Sequence, residues 1–516
     1  MRWRLSIVPY TFAIERFRKH TLGCAFMGVH SPVFCQKLSG AYFTPRDVSR
    51  ALVAWAVRSP SDHMLDPSCG DGQFLSAHRK SVGIEQNPHS ARAAVAAAPW
   101  ALVHEGDFFK WAAETRERFE CAAGNPPFIR YQSFKGEVRR RALALCARAG
   151  AEFTGLASSW APFLVAAAAL LKPGGRMAFV VPAEIGHAPY AAPLLEYLLG
   201  SFATVHIIAV REKLFPDLSE DCWLLYADGH GGVASHIDLT VCGMFKPSKE
   251  RPKPTTRVDL TEWRTIWSRR LRPYLLPIEL RTLYGLAVSH PDSRRFGDIA
   301  SVGIGYVSGD NDFFHLRPSE ATRWKIPGAF LHASLRNGRS MPSQQITYAT
   351  VEKWTRADDP VLLLRLKRGQ ELPVSVRRYL DSTAGLAARE GYKCRNRTPW
   401  YAVPDVQVPD YMLSYMAGRT ANLVRNSAGV TCTNSVHAVG LRDPAAAAKL
   451  LPRWSSPFVR LSCELEGHAL GGGMLKLEPR EATRVLFPAD CIADNADADV
   501  LEDGIRTLQR WRHYAD

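Results

Sequence analysis

The sequence predicts an α/β domain built on a doubly wound sheet, followed by a second domain of mixed α+β character that is rich in strands. Three observations carry this. A short apolar stretch, Met64-Leu65-Asp66, runs into the small-residue turn Pro67-Ser68-Cys69-Gly70-Asp71-Gly72 and then into Gln73-Phe74-Leu75, which reads as the opening of a helix. A second apolar run, Val82-Gly83-Ile84, ends in Glu85, where a doubly wound sheet places a carboxylate to accept from ribose hydroxyls. Beyond Gly229-His230-Gly231-Gly232 and the Lys- and Pro-rich stretch 246–254 the pattern changes to short strand-like runs separated by glycine-dense turns, beginning at Asp298.

Taken in order, residues 1–35 read as a lead-in: the basic run 16–20 is followed by no continuous apolar segment and no cleavage-like site, and Met27 is an alternative initiator. A helix is expected over 47–57. The glycine turn fits neither the dinucleotide pattern, since position 75 is Leu, nor the phosphate-loop pattern, since no Gly-Lys-Ser/Thr follows, so a phosphate ligand is not expected there. Gly70 and Gly72 still let a ligand approach the backbone, and a helix N-terminus after them would offer free N–H groups. Glu105-Gly106-Asp107-Phe108-Phe109 adds a third acid, with Asp107 placed to accept from an adenine amino group and Phe108 to pack on its ring. Each acid alone is an ordinary strand-end or cap residue; their order and spacing make coincidence a poor account. The apolar run 161–171 is too short to span a membrane and leads into Lys172-Pro173-Gly174-Gly175, so it reads as a buried helix.

At the strand end Cys121-Ala122-Ala123-Gly124 stands Asn125-Pro126-Pro127-Phe128. The Asn side-chain oxygen and the Pro126 carbonyl can both accept from one exocyclic NH2 group, which draws its lone pair out of ring conjugation and makes the nitrogen nucleophilic. The prolines have fixed φ and no N–H, so these acceptors are held with little entropy left to lose. Phe128 can stack on the ring. Asn-Pro is also a plain turn dipeptide, and the tetrapeptide gains weight only from the chain upstream of it.

In this order the blocks resemble the S-adenosylmethionine-dependent DNA amino-methyltransferases, specifically the gamma-class, TaqI-type N6-adenine enzymes of bacterial restriction-modification systems. Gly40-Ala41-Tyr42-Phe43-Thr44-Pro45 resembles their motif X, which helps to hold the methionine end of the cofactor; residues 66–75 resemble motif I, Glu85 motif II, Asp107-Phe108 motif III and 125–128 motif IV. Lys213-Leu214-Phe215-Pro216 resembles motif VIII, whose aromatic faces the target base from the side opposite motif IV. The resemblance runs from about Gly40 to about Asp228 and implies a Rossmann-like class I methyltransferase fold. It also implies S-adenosyl-L-methionine as cofactor, with Tyr42, Thr44, Pro45, Asp66, Pro67, Cys69, Gly70, Gly72, Glu85, Asp107, Phe108 and Asn125 around it. Asn125, Pro126, Pro127 and Phe128 would then be the catalytic loop, and Phe128 and Phe215 a clamp on the base. Motif IV ends in Phe where many members carry Tyr, a change that keeps stacking and loses a phenolic hydrogen bond.

The chain of 516 residues exceeds one typical core. The expected division is a lead-in over 1–35, a catalytic domain over 36–245, linker and connecting helices over 246–290, a target-recognition domain over 291–490 and a C-terminal, peripheral helix over 491–516. The 11 cysteines form no C-x-x-C pair and no Cys/His cluster with metal spacing, so a reducing cytoplasm and no metal are expected. Net charge is +15, which fits a polyanionic partner. Residues 241–430 hold 30 Lys and Arg against 17 Asp and Glu, so the excess lies downstream of the catalytic blocks. There Arg395, Arg397 and Trp400, within Glu390-Gly391-Tyr392-Lys393-Cys394-Arg395-Asn396-Arg397-Thr398-Pro399-Trp400-Tyr401, are the DNA-binding candidates: guanidinium forks suit phosphate and guanine edges, and aromatics fill gaps or stack on displaced bases.

The reading that unites these blocks is sequence-specific methylation of N6 of a flipped-out adenine in double-stranded DNA, with a separately encoded restriction endonuclease as a compatible partner. N4-cytosine methylation uses the same amino chemistry, but many such enzymes carry Ser where Asn125 stands. A protein glutamine methyltransferase would lack the large basic second half, and a decayed DNA-binding regulator would not be expected to keep Asp66, Gly70, Glu85, Asp107 and Asn125.

Overall fold

The computed structural model describes residues 44–154, 157–216, 220–470 and 472–514. Tyr42 and the lead-in 1–35 lie outside them. The chain divides into two units, Met1–Leu271 and Arg272–Asp516.

The first unit is a nine-stranded sheet with helices on its faces. Its strands are β1 Met64–Asp66, β2 Ser81–Glu85, β3 Leu102–Glu105, β4 Phe119–Gly124, β5 Leu171–Pro182, β6 Phe202–Val210, β7 Cys222–His230, β8 His236–Cys242 and β9 Thr256–Asp259, in the order β3-β2-β1-β4-β5-β7-β6-β8-β9. Strands β3 to β5 in that order run parallel, whereas β7 is antiparallel to both β5 and β6. The chain turns back at β1, which pairs with β2 on one side and β4 on the other, so the strand order reverses there and leaves a crevice at the carboxyl ends of these strands. Helix α1, Arg46–Ala56, buries Leu52, Val53 and Ala56, and helix α2, Pro88–Ala97, starts where the Asn87 side chain accepts from His89 and Ser90 N–H with Pro88 in the first turn. Helices α3 Phe108–Glu114, α4 Gly136–Arg148, α5 Trp160–Ala168 and α6 Ala191–Ser201 complete the layers. Every residue of α5 is buried, as the apolar run 161–171 predicts.

Two expectations for this first unit are corrected. The glycine turn does not open a helix: only the 3-10 turn Leu75–Ala77 lies between β1 and β2, because the span from Asp66 to Ser81 is spent on the turn itself and the return to the sheet. No helix dipole acts at that site. The region 246–290 is not a linker throughout, since β9 pairs with β8 through four residues, Thr256 to Asp259, and the unit boundary falls after Leu271.

In the second unit, β10 Ala300–Ile304, β11 Gln345–Ile346, β12 Tyr411–Ser414, β13 Leu423–Asn426 and β14 Val436–Leu441 form a five-stranded sheet ordered β10-β14-β12-β13-β11. Alternate residues of β12 feed two separate cores: Tyr411 and Leu413 one, Met412 the other. The C-terminal helix is not peripheral. Ala498–Arg510, α8, buries Leu501, Ile505 and Leu508 at spacings of four and three, one face of a helix, and packs on α7, Pro457–Glu466.

Candidate active site

Strands β1 and β4 end side by side, and their last residues build the floor of the crevice. Asp66 is fully buried; its Oδ1 accepts from Ser68 N–H at 3.1 Å, and Oδ2 has no hydrogen-bond partner among the described residues. A Cβ at Gly124 would stand 2.7 Å from Asp66 Oδ1, so the last residue of β4 must be glycine for the carboxyl to fit. Burial, reinforced by the charges of Glu85 and Asp71 and opposed by the Ser68 N–H, pushes the Asp66 pKa up to about 8. A neutral Asp66 therefore favours the fold fully below the ordinary carboxyl range near 4, and that contribution is lost as pH rises towards 8. A cationic ligand group arriving beside Oδ2 would reverse the shift. Cofactor binding at pH 7 is accordingly expected to release a proton, seen as a buffer-dependent binding enthalpy that disappears in Asp66→Asn; a buffer-independent enthalpy in the parent protein would refute it.

The glycine turn then faces this carboxyl. Gly70 (φ +54) has nothing within 4 Å of where a Cβ would lie, which leaves open space for a ligand against the backbone, whereas a Cβ at Gly72 (φ +88) would meet Ala94 Cα of α2 at 2.9 Å. Gly72 thus serves packing and Gly70 access. Cys69 is buried against Gly83, where a Cβ would stand 2.8 Å from its Sγ, and burial pushes its thiol pKa up, so it is a packing residue. Glu85 caps the turn: Oε2 accepts from Gly70 N–H at 3.0 Å and Oε1 from Asn87 N–H at 2.7 Å. Each oxygen keeps a second lone pair for ribose hydroxyls. Asp107 is the N-cap of α3, its Oδ1 accepting from Lys110 N–H at 2.6 Å, which leaves Oδ2 for an incoming donor. Phe108 is only 3% exposed and its ring stacks on Phe163 at 5.2 Å, so a purine would meet an aromatic cluster rather than one free ring. Open space at Gly70, the acceptor at Asp66 Oδ2 and the carboxylates of Glu85 and Asp107 fit a ligand with an ammonium group, a ribose and an adenine.

The loop 125–130 has no regular structure and is held from three sides. Asn125 Nδ2 donates to Thr44 Oγ1 at 3.2 Å, the Ser68 hydroxyl donates to Asn125 O at 3.2 Å, and Ile129 N–H donates to Ser159 Oγ at 3.0 Å. Thr44, next to the helix-capping Pro45, and the buried Pro67 and Pro126 complete the surround. Phe215 is 7% exposed within an apolar cluster that includes Val48, Leu52 and Phe245, and the half-buried Phe128 packs on the same cluster, so the two candidate clamp residues share one surface. Ser68 and Ser159 support the loop without any signal in the sequence; the Ser158-Ser159 pair before α5 is a helix-start signal that carries no hint of a contact to residues 127–129.

Family models match nearly the whole described chain: "N-6 DNA Methylase" over residues 32–95, "Eco57I restriction-modification methylase" over 76–215 and "Type II methyltransferase M.Eco57I, C-terminal domain" over 268–514. The chain belongs to the N6-adenine DNA methyltransferases of restriction-modification systems. Type II methyltransferase M.XamI of Xanthomonas campestris pv. amaranthicola is 22% identical over 478 residues, 87% of this chain and 85% of that protein. Type II methyltransferase M.TthHB8I of Thermus thermophilus is 31% identical over 252 residues, 45% of this chain and 55% of that protein. The type IIL restriction-modification enzyme MmeI, solved in complex with DNA, has a similar fold at a TM-score of 0.50 and 12% identity, covering 90% of this chain and 71% of that one. S-adenosyl-L-methionine is the cofactor of this methyltransferase, and its sheet has the class I arrangement.

In the second unit of the methyltransferase the candidate DNA-contact residues part company. Arg397 is committed to the fold: Nε donates to Lys393 O at 3.1 Å, Nη1 to Ala402 O at 3.3 Å and Nη2 to Ser308 O. Trp400 packs 5.8 Å from Phe313 and 6.3 Å from Phe314. These contacts tie both half-buried side chains into the fold of this unit, where the sequence alone offers them to DNA. Arg395 alone of the three is exposed, its guanidinium 5.5 Å over the exposed Tyr392 ring. Arg397→Ala is expected to lower the stability of this unit by about 1 to 3 kcal/mol, the cost of buried carbonyls left without donors. Chemical denaturation checks it, and an unchanged midpoint would return Arg397 to the surface.

Proposed function

We propose that the methyltransferase acts at one recognition sequence in double-stranded DNA, on N6 of an adenine turned out of the helix, and that it is of the gamma, TaqI-type motif order. The observation that carries this reading is the Asn125 to Thr44 hydrogen bond: it holds the amide by its nitrogen, so that its oxygen is the end assigned to the target amino group as an acceptor. With the Pro126 carbonyl that oxygen draws the target amino group into a nucleophilic geometry. Bound S-adenosylmethionine supplies an electrophilic methyl on a sulfonium leaving group. Asp66, Gly70, Glu85 and Asp107 hold the donor, Phe128 and Phe215 hold the base once Phe215 is uncovered, and the rate comes from positioning and electrostatics. The methylated amine is acidic and can lose its proton to water, so no general base is required.

Sequence choice is assigned to the second unit, whose residues 272–430 hold 22 Lys and Arg against 14 Asp and Glu and where Arg395 stays exposed. A separately encoded endonuclease is a compatible partner, and the cytoplasm, where the DNA is, the expected location. No described helix is long and apolar enough to cross a membrane. The test is a base-resolution map of modified bases in DNA from a host expressing the protein. Methylated adenine at every copy of one short sequence is expected; N4-methylcytosine, or no modified base, would overturn the reading.

A further inference from the structure

We infer that Ser159 is a positioning residue of the methyl-transfer reaction: one hydroxyl fixes the backbone on both sides of Phe128 and so sets the ring on which the target base stacks. Ser159 is wholly buried at the start of α5. Its Oγ donates to the carbonyl of Pro127 and accepts from the N–H of Ile129 at 3.0 Å, and its own N–H donates to Ile129 O at 2.9 Å. The two bonded residues are the immediate neighbours of Phe128 in the chain. Pro126 and Pro127 have no N–H, so this loop cannot close on itself through their amides and depends on a group from elsewhere.

The first turn of α5, which carries this hydroxyl, is in turn anchored to the sheet. Trp160, the next residue, donates from Nε1 to Tyr190 OH at 3.1 Å, and Tyr190 OH donates to Glu184 Oε2 in the turn that follows β5. Burial raises the pKa of both Glu184 and Tyr190, in keeping with a closed polar chain rather than a solvent-facing one. A path of named contacts thus runs from the end of β5 through the first turn of α5 to the residues flanking Phe128.

This inference rests on the proposed function, in that Phe128 is taken to meet the target base. The experiment compares parent protein, Ser159→Ala, Ser159→Thr and Tyr190→Phe on cognate duplex, alongside cofactor affinity by calorimetry and emission from 2-aminopurine at the target position. For Ser159→Ala we expect kcat to fall about 10- to 100-fold, the effect of two lost hydrogen bonds. Cofactor affinity should hold, 2-aminopurine emission should differ from the parent complex, and Ser159→Thr, which keeps the hydroxyl, should recover turnover. Unchanged kcat in a folded Ser159→Ala, or a loss matched by equal weakening of cofactor binding, overturns the assignment. Should Ser159→Ala fail to fold, Tyr190→Phe decides: lower kcat with intact cofactor affinity supports the chain, unchanged kcat removes it. A parent protein that methylates no adenine sinks the proposed function instead, which keeps the two failures apart.

Discussion

Asn125→Ala is expected to abolish methyl transfer, lowering single-turnover rates by about 100-fold or more, the usual cost of deleting a preorganised polar group at the reacting centre. The amide is held by Thr44, and only its acceptor serves the target nitrogen, so cofactor affinity measured by calorimetry should change little. Asn125→Asp keeps an acceptor but puts a second carboxyl near the buried Asp66; it is expected to retain part of the turnover and to bind cofactor with altered pH dependence. An Asn125→Ala protein that methylates cognate DNA at near-parent rate would disprove the assigned mechanism outright. Loss of cofactor binding in parallel with turnover would instead move Asn125 from the substrate side to the donor side of the crevice.

The largest stability effect is expected at Arg512→Ala. Arg512 is buried without exposure, its Nε donating to Glu464 Oε2 at 3.0 Å and its Nη2 to Glu464 Oε1 at 2.7 Å and to Gly418 O at 2.6 Å, with Nη1 on Gly473 O. Arg272 reaches the same carboxylate at 3.3 Å. One side chain therefore joins α7, the glycine-rich loop near residue 473 and the end of α8. Removing it strips a buried carboxylate of its principal partner and leaves two carbonyls unpaired, a loss of about 3 to 5 kcal/mol. The readout is the denaturation midpoint of the second unit, with cofactor binding to the first unit as a control. A shift below about 1 kcal/mol, the range of exposed pairs, would mean that water reaches the cluster.

How far these features were legible in the sequence depends on whether their chemistry is local. Glycines 70 and 72, the acids at 85 and 107 and the tetrapeptide at 125 each announce themselves within a few residues, and the structure brings all of them to the carboxyl ends of β1, β2, β3 and β4. Turn geometry, helix capping and strand-end carboxylates act over short stretches of chain, so a reader of the sequence can place them. Their order along the chain also carried the family and hence the cofactor.

What the tertiary structure decided lies in pairings over long separations. Arg397 looks like a phosphate-binding arginine until Ser308, 89 positions earlier, is seen to take its guanidinium, and Arg395, two residues away, keeps its charge at the surface. Ser159 gains meaning only because Pro127 and Ile129 meet it across a gap of some thirty residues. The helix expected after Gly72 is missing because the chain must return to β2 within the few residues left, and β9 joins the first sheet because β8 still has an open edge to pair. The sequence by itself determined which chemistry this protein carries, because side-chain type and local backbone freedom are written residue by residue. The fold decided which of the many cations, aromatics and hydroxyls are left for that chemistry, because a buried carbonyl or an open strand edge takes the partner that packing places beside it.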